Sequence, residues 1–255
     1  MDNLIHLSST GQWVYVLSVA LCAGLVKGVV GFGMPLVFIS GLSLILPPEI
    51  ALAGLIIPTV FSNFSQALRQ GLHAAIASIS KFRWFLCVGG LFLISSTQLT
   101  ALVPGAIFLG ALGVLIVAFS AMQLVGVRIP VHKSPRKAEI TMGAIAGFIG
   151  GMSGVWGPPT VALLTALETE KKEQMRIQGV IYGLGAIALT VGHLFSGILN
   201  TTTATFSAVL VLPAMIGLRL GMALQDRIDQ TTFKRATLCI LLVAGLNLVR
   251  RAWIG

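Results

Sequence analysis

Apolar residues dominate the chain in long, nearly uninterrupted runs that polar connections separate. The runs cover residues 12–30, 32–46, 49–68, 83–102, 104–126, 139–155, 157–167, 176–198, 204–224 and 235–250. Several have roughly the 20 residues that an α-helix needs to cross a bilayer. The runs 32–46 and 157–167 are shorter and follow glycine-rich breaks, which suits half-helices or re-entrant hairpins. The pattern predicts an all-α polytopic membrane protein with roughly eight to ten membrane segments and Gly/Pro-broken helices.

Charged residues are rare, and they collect between the apolar runs. Only 10% of the residues are charged, whereas a soluble domain has about one quarter. The net charge of +9 would suggest nucleic-acid binding in a soluble protein. Here the basic residues flank apolar runs, and the enrichment of Lys and Arg in cytoplasmic loops explains them without a nucleic-acid partner. We expect a multi-pass protein of the cell inner (plasma) membrane, whose partners are the lipid bilayer and a substrate.

The two halves of the chain resemble each other. At one constant offset, residues 23–35 can be laid over residues 146–158, and Ala23, Gly24, Gly28, Gly31 and Pro35 each meet an identical residue. This predicts a first membrane repeat over 1–126, a basic cytoplasmic linker over 127–138 and a second membrane repeat over 139–255. If each break counts as a crossing, the repeats are inverted relative to one another, as in many transporters.

The paired breaks are the main candidate for a binding site. Interrupting a helix at membrane depth leaves N–H and C=O groups that protein, water or substrate must satisfy. The N–H groups that begin a half-helix suit an anion. The candidate ligands at the two breaks are Gly31, Phe32, Gly33, Ser153, Gly154, Trp156 and Gly157. The alternative is that glycines at four-residue spacing, such as Gly24 and Gly28, only let helices pack closely and would permit a homodimer.

Polar residues inside the apolar runs add to this candidate site. Lys27 could neutralise an anion, or its ammonium could reach the membrane surface along its own stem. Thr59, Asn63 and Gln66 fall on one helical face. In the second half, Gln178 and Tyr182 lie close to one face of their helix. Asn63, Gln66, Gln178 and Tyr182 could donate to an oxyanion, although hydrogen bonds between helices would also explain them.

Other kinds of chemistry find no support in the sequence. No Asp or Glu lies in the middle of an apolar run, so a proton relay through a buried carboxylate has no candidate. The chain has no Walker motif, no His/Cys cluster with metal-ligand spacing and no nucleophile–base signature. We therefore expect neither an enzyme nor a bound cofactor or metal.

The repeated motif Ala-Gly-x-x-x-Gly-x-x-Gly-x-Gly-x-Pro, placed on both sides of a basic linker, resembles the sulfite exporter TauE/SafE family. The resemblance extends to the length of the chain and to the tail Gly217-Leu218-Arg219-Leu220-Gly221 followed by Arg227. It implies transport of sulfite or a small organosulfonate such as sulfoacetate. Val155 and Trp156 depart from the family's plain glycine form of the second motif, which would narrow the site or change the size of its ligand.

The leading hypothesis is a secondary transporter of a small anion that works by alternating access at the interface of the two repeats. An anion channel that uses the same pore is one alternative. A membrane subunit or scaffold that transports nothing is another.

Overall fold

The computed structural model describes residue 7 and residues 9–97, 105–127, 135–153, 157–195 and 197–254. The described part is all-helical, as the hydropathy pattern predicts. Its eleven helices are α1 (Thr10–Val30), α2 (Met34–Leu42), α3 (Pro48–Ala67), α4 (Leu72–Lys81), α5 (Arg83–Thr97), α6 (Gly105–Leu124), α7 (Pro135–Ser153), α8 (Gly157–Ala166), α9 (Lys171–Phe195), α10 (Thr201–Arg227) and α11 (Gln230–Ile254).

Five of the described helices are long and apolar enough to cross a bilayer. They are α1, α3, α9, α10 and α11, and the bent pair α4–α5 could supply a sixth crossing. The two short apolar runs form the short helices α2 and α8. The sequence-based range of eight to ten membrane segments includes such short elements, and it stays a prediction.

The chain divides into two compact units, and each unit draws residues from both sides of the 127–138 linker. The first unit comprises Met1–Ala75 and Met175–Asp229, and the second comprises Ile76–Gln174 and Gln230–Gly255. The sequence-based boundaries at 126 and 138 describe the two halves of the sequence, and that division stays a prediction. Residues 128–134 of the linker lie outside the described part.

In the first unit, α2 folds back along α1. The Tyr15 hydroxyl near the start of α1 donates to the Gly41 carbonyl near the end of α2, at 3.0 Å. A Cβ atom on Gly41 would press into the Val19 side chain of α1. The run 32–46 therefore contributes a short helix that returns beside α1, so α1 and α2 form a hairpin with the first break at its tip.

Helix α1 also packs closely against α10 in the first unit. A Cβ atom on Gly24 would overlap the Ala214 carbonyl, and one on Gly28 would overlap the Leu218 carbonyl. Gly221 of α10 is equally tight against Leu25 of α1. The two backbones can approach this closely only because these positions lack side chains. The packing explanation for the glycines that precede the first break is thus confirmed.

In the second unit, α5 packs on α7 and α6 packs on α11. A Cβ atom on Gly147 of α7 would overlap the Gly89 carbonyl of α5. Helix α8 begins at Gly157 after the second break, and its residues from Pro158 to Ala166 are buried. Helix α7 thus packs through glycine, and the short helix α8 is buried; residues 154–156, where the sequence predicts the second break, lie outside the described part.

Pro58 lies inside α3 and interrupts its hydrogen-bond ladder. Proline has no N–H, so the carbonyl of Gly54 loses its normal partner four residues on. The Ser207 hydroxyl of α10 donates to this Gly54 carbonyl at 3.0 Å and accepts the N–H of Ile57 at 3.1 Å. Ser207 is completely buried. One side chain of α10 therefore supplies the hydrogen bonds that Pro58 removes from α3. This point lies just before the part of α3 that carries Thr59, Ser62, Asn63 and Gln66.

We predict that Ser207→Ala destabilises the protein by about 1–3 kcal/mol, because a buried backbone carbonyl is left without a donor. The double variant Pro58→Ala/Ser207→Ala should recover most of this loss, since the new N–H at residue 58 can donate to the Gly54 carbonyl. Thermal unfolding in detergent checks both expectations. Ser18→Ala is the control, because that exposed hydroxyl donates only within its own helix. Equal destabilisation in the single and double variants would contradict this explanation of Ser207.

Candidate functional site

The first break is built from two glycines in left-handed backbone conformations. Gly31 ends α1 with φ 87°, and its N–H donates to the Lys27 carbonyl at 2.7 Å. Gly33 precedes α2 with φ 89°. Side chains other than hydrogen are strained at such angles. A Cβ atom on Gly31 would also overlap the amide of Gln178. Phe32 between the two glycines is 4% exposed, so the break lies inside the first unit.

Two buried glutamines satisfy the carbonyl groups that the break sets free. Gln66 Nε2 of α3 donates to the Gly31 carbonyl at 3.1 Å and to the Met175 carbonyl at 2.8 Å. The hydrogen-bond partners orient the Gln178 amide so that its nitrogen donates to Val30 and Gly31, at 3.3 and 3.2 Å. Both side chains are 0% exposed. Side chains of α3 and α9 together hold the break. Backbone outside a helix is tolerated at membrane depth only when protein or water satisfies its polar groups in this way.

Lys27 lies one turn before the break and points into the first unit. Its side chain is 2% exposed, and its ammonium donates to Asn63 Oδ1 of α3. Asn63 Nδ2 in turn donates to the Tyr182 carbonyl, midway along α9, at 3.0 Å. The Asn63 amide is thereby fixed with its oxygen toward Lys27. The alternative in which Lys27 extends to the membrane surface is not what the structure shows.

The charge of Lys27 has no carboxylate partner in the part of the chain that the structure describes. The acidic residues that the structure describes lie in connections or near helix ends: Glu49, Glu139, Glu168, Glu170, Glu173, Asp226 and Asp229. Asp226 is committed to an ion pair with Arg69. An ammonium without a counter-charge is costly away from water.

The start of α2 borders the same region. Gly33 provides no side-chain cap for α2, so the first N–H groups of this helix carry partial positive charge without a side-chain acceptor. Met34 at its first position accepts the Ser62 hydroxyl on its sulfur at 3.4 Å, and the Thr59 hydroxyl lies at 3.9 Å from the same atom. Thr59, Asn63 and Gln66 thus all contact α1, α2 or the break between them, as their spacing predicts.

Eight of the residues proposed from the sequence meet in the first unit. They are Lys27, Gly31, Phe32, Gly33, Asn63, Gln66, Gln178 and Tyr182. Gly154 and Trp156 lie outside the described residues, and Ser153 is described only as the last residue of α7. Gly157 begins α8 in the second unit. A binding site formed by both breaks together stays a prediction.

The structure adds residues that the sequence patterns did not single out. Met175 is 1% exposed, and its carbonyl accepts from Gln66. Gly179 lets α9 approach α3, because a Cβ atom there would overlap the backbone of Ala67. Met34 and Ser207 are further examples. Methionine and serine in an apolar run carry no distinctive signal, and their contacts join parts of the chain that are far apart in sequence.

Polar side chains contact one another at the end of the first unit where α3 and α10 finish. The Arg69 guanidinium pairs with Asp226 and donates to Gln225 Oε1 at 3.0 Å. Arg176 near the start of α9 donates to Gln70 Oε1. Asp226 thus supplies Arg69 with a counter-charge, which distinguishes Arg69 from Lys27.

The amino-acid sequence matches a known protein family. The model of the family described as sulfite exporter TauE/SafE matches residues 16–248, nearly the whole chain. The chain belongs to the sulfite exporter TauE/SafE family. Neither the curated proteins nor the solved structures contain a significant match to it.

Membership of the TauE/SafE family makes the chain a multi-pass membrane protein of a transporter family. The match spans both breaks, the linker between them and every candidate ligand in α1, α3 and α9. A transport role is consistent with the expectation that the protein is not an enzyme. The resemblance seen in the repeated glycine motif is confirmed.

We predict that Gln66→Met and Gln178→Met each destabilise the protein moderately, and that the double variant loses more than the sum. The Gly31 carbonyl keeps one donor in each single variant and none in the double, and a buried carbonyl without a donor costs about 1–3 kcal/mol. Unfolding in detergent measures this coupling as a double-mutant cycle. Gln123→Met, at a buried glutamine of α6, is the control. Simple additivity would show that the two glutamines do not share this carbonyl.

Proposed function

We propose that this protein is a secondary transporter of a small anion, with sulfite or an organosulfonate such as sulfoacetate as the substrate, in the cell inner membrane. The observation that carries the proposal is Lys27, a buried ammonium whose one described side-chain partner is the neutral amide of Asn63. A cation held in this way favours a negatively charged ligand over a neutral or positive one.

The groups around Lys27 suit an oxyanion in geometry as well as in charge. An ammonium has three N–H donors, and Asn63 uses one of them. The start of α2, at the tip of the α1–α2 hairpin, has no side-chain cap and offers the backbone N–H groups of Met34 and Leu36, because Pro35 has none. Tetrahedral sulfur oxyanions accept several hydrogen bonds at once, so these donors could share one ligand. Carboxylates and phosphonates have similar chemistry, and the family membership favours sulfur oxyanions.

Alternating access between two repeats is supported by the positions of the helices. Helix α2 begins at Met34 and α8 at Gly157, and α3 begins at Pro48 and α9 at Lys171, so both pairs have the same separation. It is also the offset that aligns the two glycine motifs. Under this correspondence α1 matches α7 and α10 matches α5, and the pairs α1–α10 and α5–α7 both pack closely. Inverted repeats that exchange conformations would let the site open to each side in turn.

Ligand binding to the purified protein tests the proposal. We expect sulfite or an organosulfonate to raise the thermal stability of the wild type, since a ligand at 100 times its dissociation constant adds about 2.7 kcal/mol. Lys27→Met should abolish this stabilisation because the only buried cation of the site is removed. Asn63→Asp should abolish it as well, because a carboxylate beside Lys27 neutralises the ammonium internally and competes with the ligand.

Arg219→Met is the matched control, since it removes an exposed cation of α10 and should leave the stabilisation unchanged. Sulfate, phosphonates and short carboxylates in the same series define the selectivity. Stabilisation that survives in Lys27→Met, or a wild type that responds to none of these anions, would contradict the proposed site. A protein that binds a sulfur oxyanion but conducts it without saturation would instead be a channel.

A further inference from the structure

We propose that transport by this protein is obligatory exchange: the empty carrier is held back by the charge of Lys27, and the site changes sides readily only with an anion bound. The inference rests on the proposed function and goes beyond it, because sequence and family leave the coupling of transport open. It identifies what must move in the opposite direction, namely a second anion of the kind that the site accepts.

Lys27 is enclosed by the protein. Its side chain is 2% exposed, and its ammonium contacts Asn63, which is 0% exposed. A carrier that alternates between two sides must pass through states in which the site is closed to both. Lys27 therefore has no route to bulk water during the step that moves the site.

The described part of the protein supplies no internal counter-charge. A carboxylate near the ammonium would pair with it once the substrate leaves, which would let the empty form return. Among residues 7–254, each acidic residue that the structure describes lies in a connection or near a helix end, and Asp226 of the first unit is held by Arg69. The polar groups that face the break are the amides of Asn63, Gln66 and Gln178, which are neutral at every pH.

The empty and loaded forms differ in the desolvation penalty that Lys27 carries. Enclosing an unpaired ammonium carries a desolvation penalty that an anion in contact with it offsets. The amide of Asn63 contributes a dipole but no charge, so it offsets less of this penalty. Movement of the empty site should therefore be slower than movement of the loaded site, by at least about tenfold. Net transport in one direction requires the slow step, whereas exchange avoids it.

Uptake of radiolabelled sulfite into proteoliposomes tests this inference. Vesicles are loaded either with unlabelled sulfite or with gluconate, and potassium with valinomycin on both sides removes any limit that membrane potential would impose. Protein-free vesicles correct for passive entry. We expect initial uptake at least about tenfold faster into sulfite-loaded vesicles than into gluconate-loaded ones, with the same ratio for Arg219→Met.

Two results would overturn the inference. Equal rates into sulfite-loaded and gluconate-loaded vesicles would show that the empty carrier returns freely. Acceleration of uptake into gluconate-loaded vesicles by an inward proton gradient would show that Lys27 loses its proton on the return step, so that the anion is coupled to protons and not to a second anion. Absence of protein-dependent uptake in every arm would contradict the proposed function, and this inference with it.

Discussion

The contact between Lys27 and Asn63 is the constraint on which the rest of the site depends. It places an ammonium inside a helical membrane protein without a carboxylate to neutralise it. Such a group is expensive in a low-dielectric interior, which makes Lys27 the first candidate for a functional residue. Asn63 is fixed by its own bond to the Tyr182 carbonyl. The charge is therefore held at a defined place beside the first break.

Helix α3 carries Asn63, which contacts this charge, and Gln66, which contacts the backbone of the first break. Other elements control the course of α3. Pro58 interrupts the hydrogen-bond ladder of α3, and the Ser207 hydroxyl of α10 satisfies the Gly54 carbonyl and the Ile57 N–H there. Beyond that point, Asn63 meets α1 and Gln66 meets the carbonyl of Gly31. The same helix thus orients the cation and holds the backbone of the break, which couples the charge of the site to the geometry of the half-helix that follows.

The sequence predicts the local features of this site better than its long-range contacts. Hydropathy predicts the helices, glycine and proline predict the break at Gly31, and helical spacing places Asn63 and Gln66 on one face. Helical periodicity does not reveal which distant helix packs against a given face. The sequence left open whether Gln66 and Gln178 bind substrate or form hydrogen bonds between helices. The structure engages both amide nitrogens with the carbonyls of the break, and substrate binding by these residues stays a prediction. Serine is common in apolar helices, so Ser207 gave no signal at all.

The most direct test of the central claim is to locate the anion. Selenite has the charge and shape of sulfite, and selenium scatters X-rays anomalously, so a crystal grown with selenite would show where the oxyanion binds. The account predicts a selenium peak beside the first break, with an oxygen within hydrogen-bond distance of Lys27 Nζ. A protein crystallised with its ligand bound elsewhere, and with Lys27 still in contact only with Asn63, would contradict it.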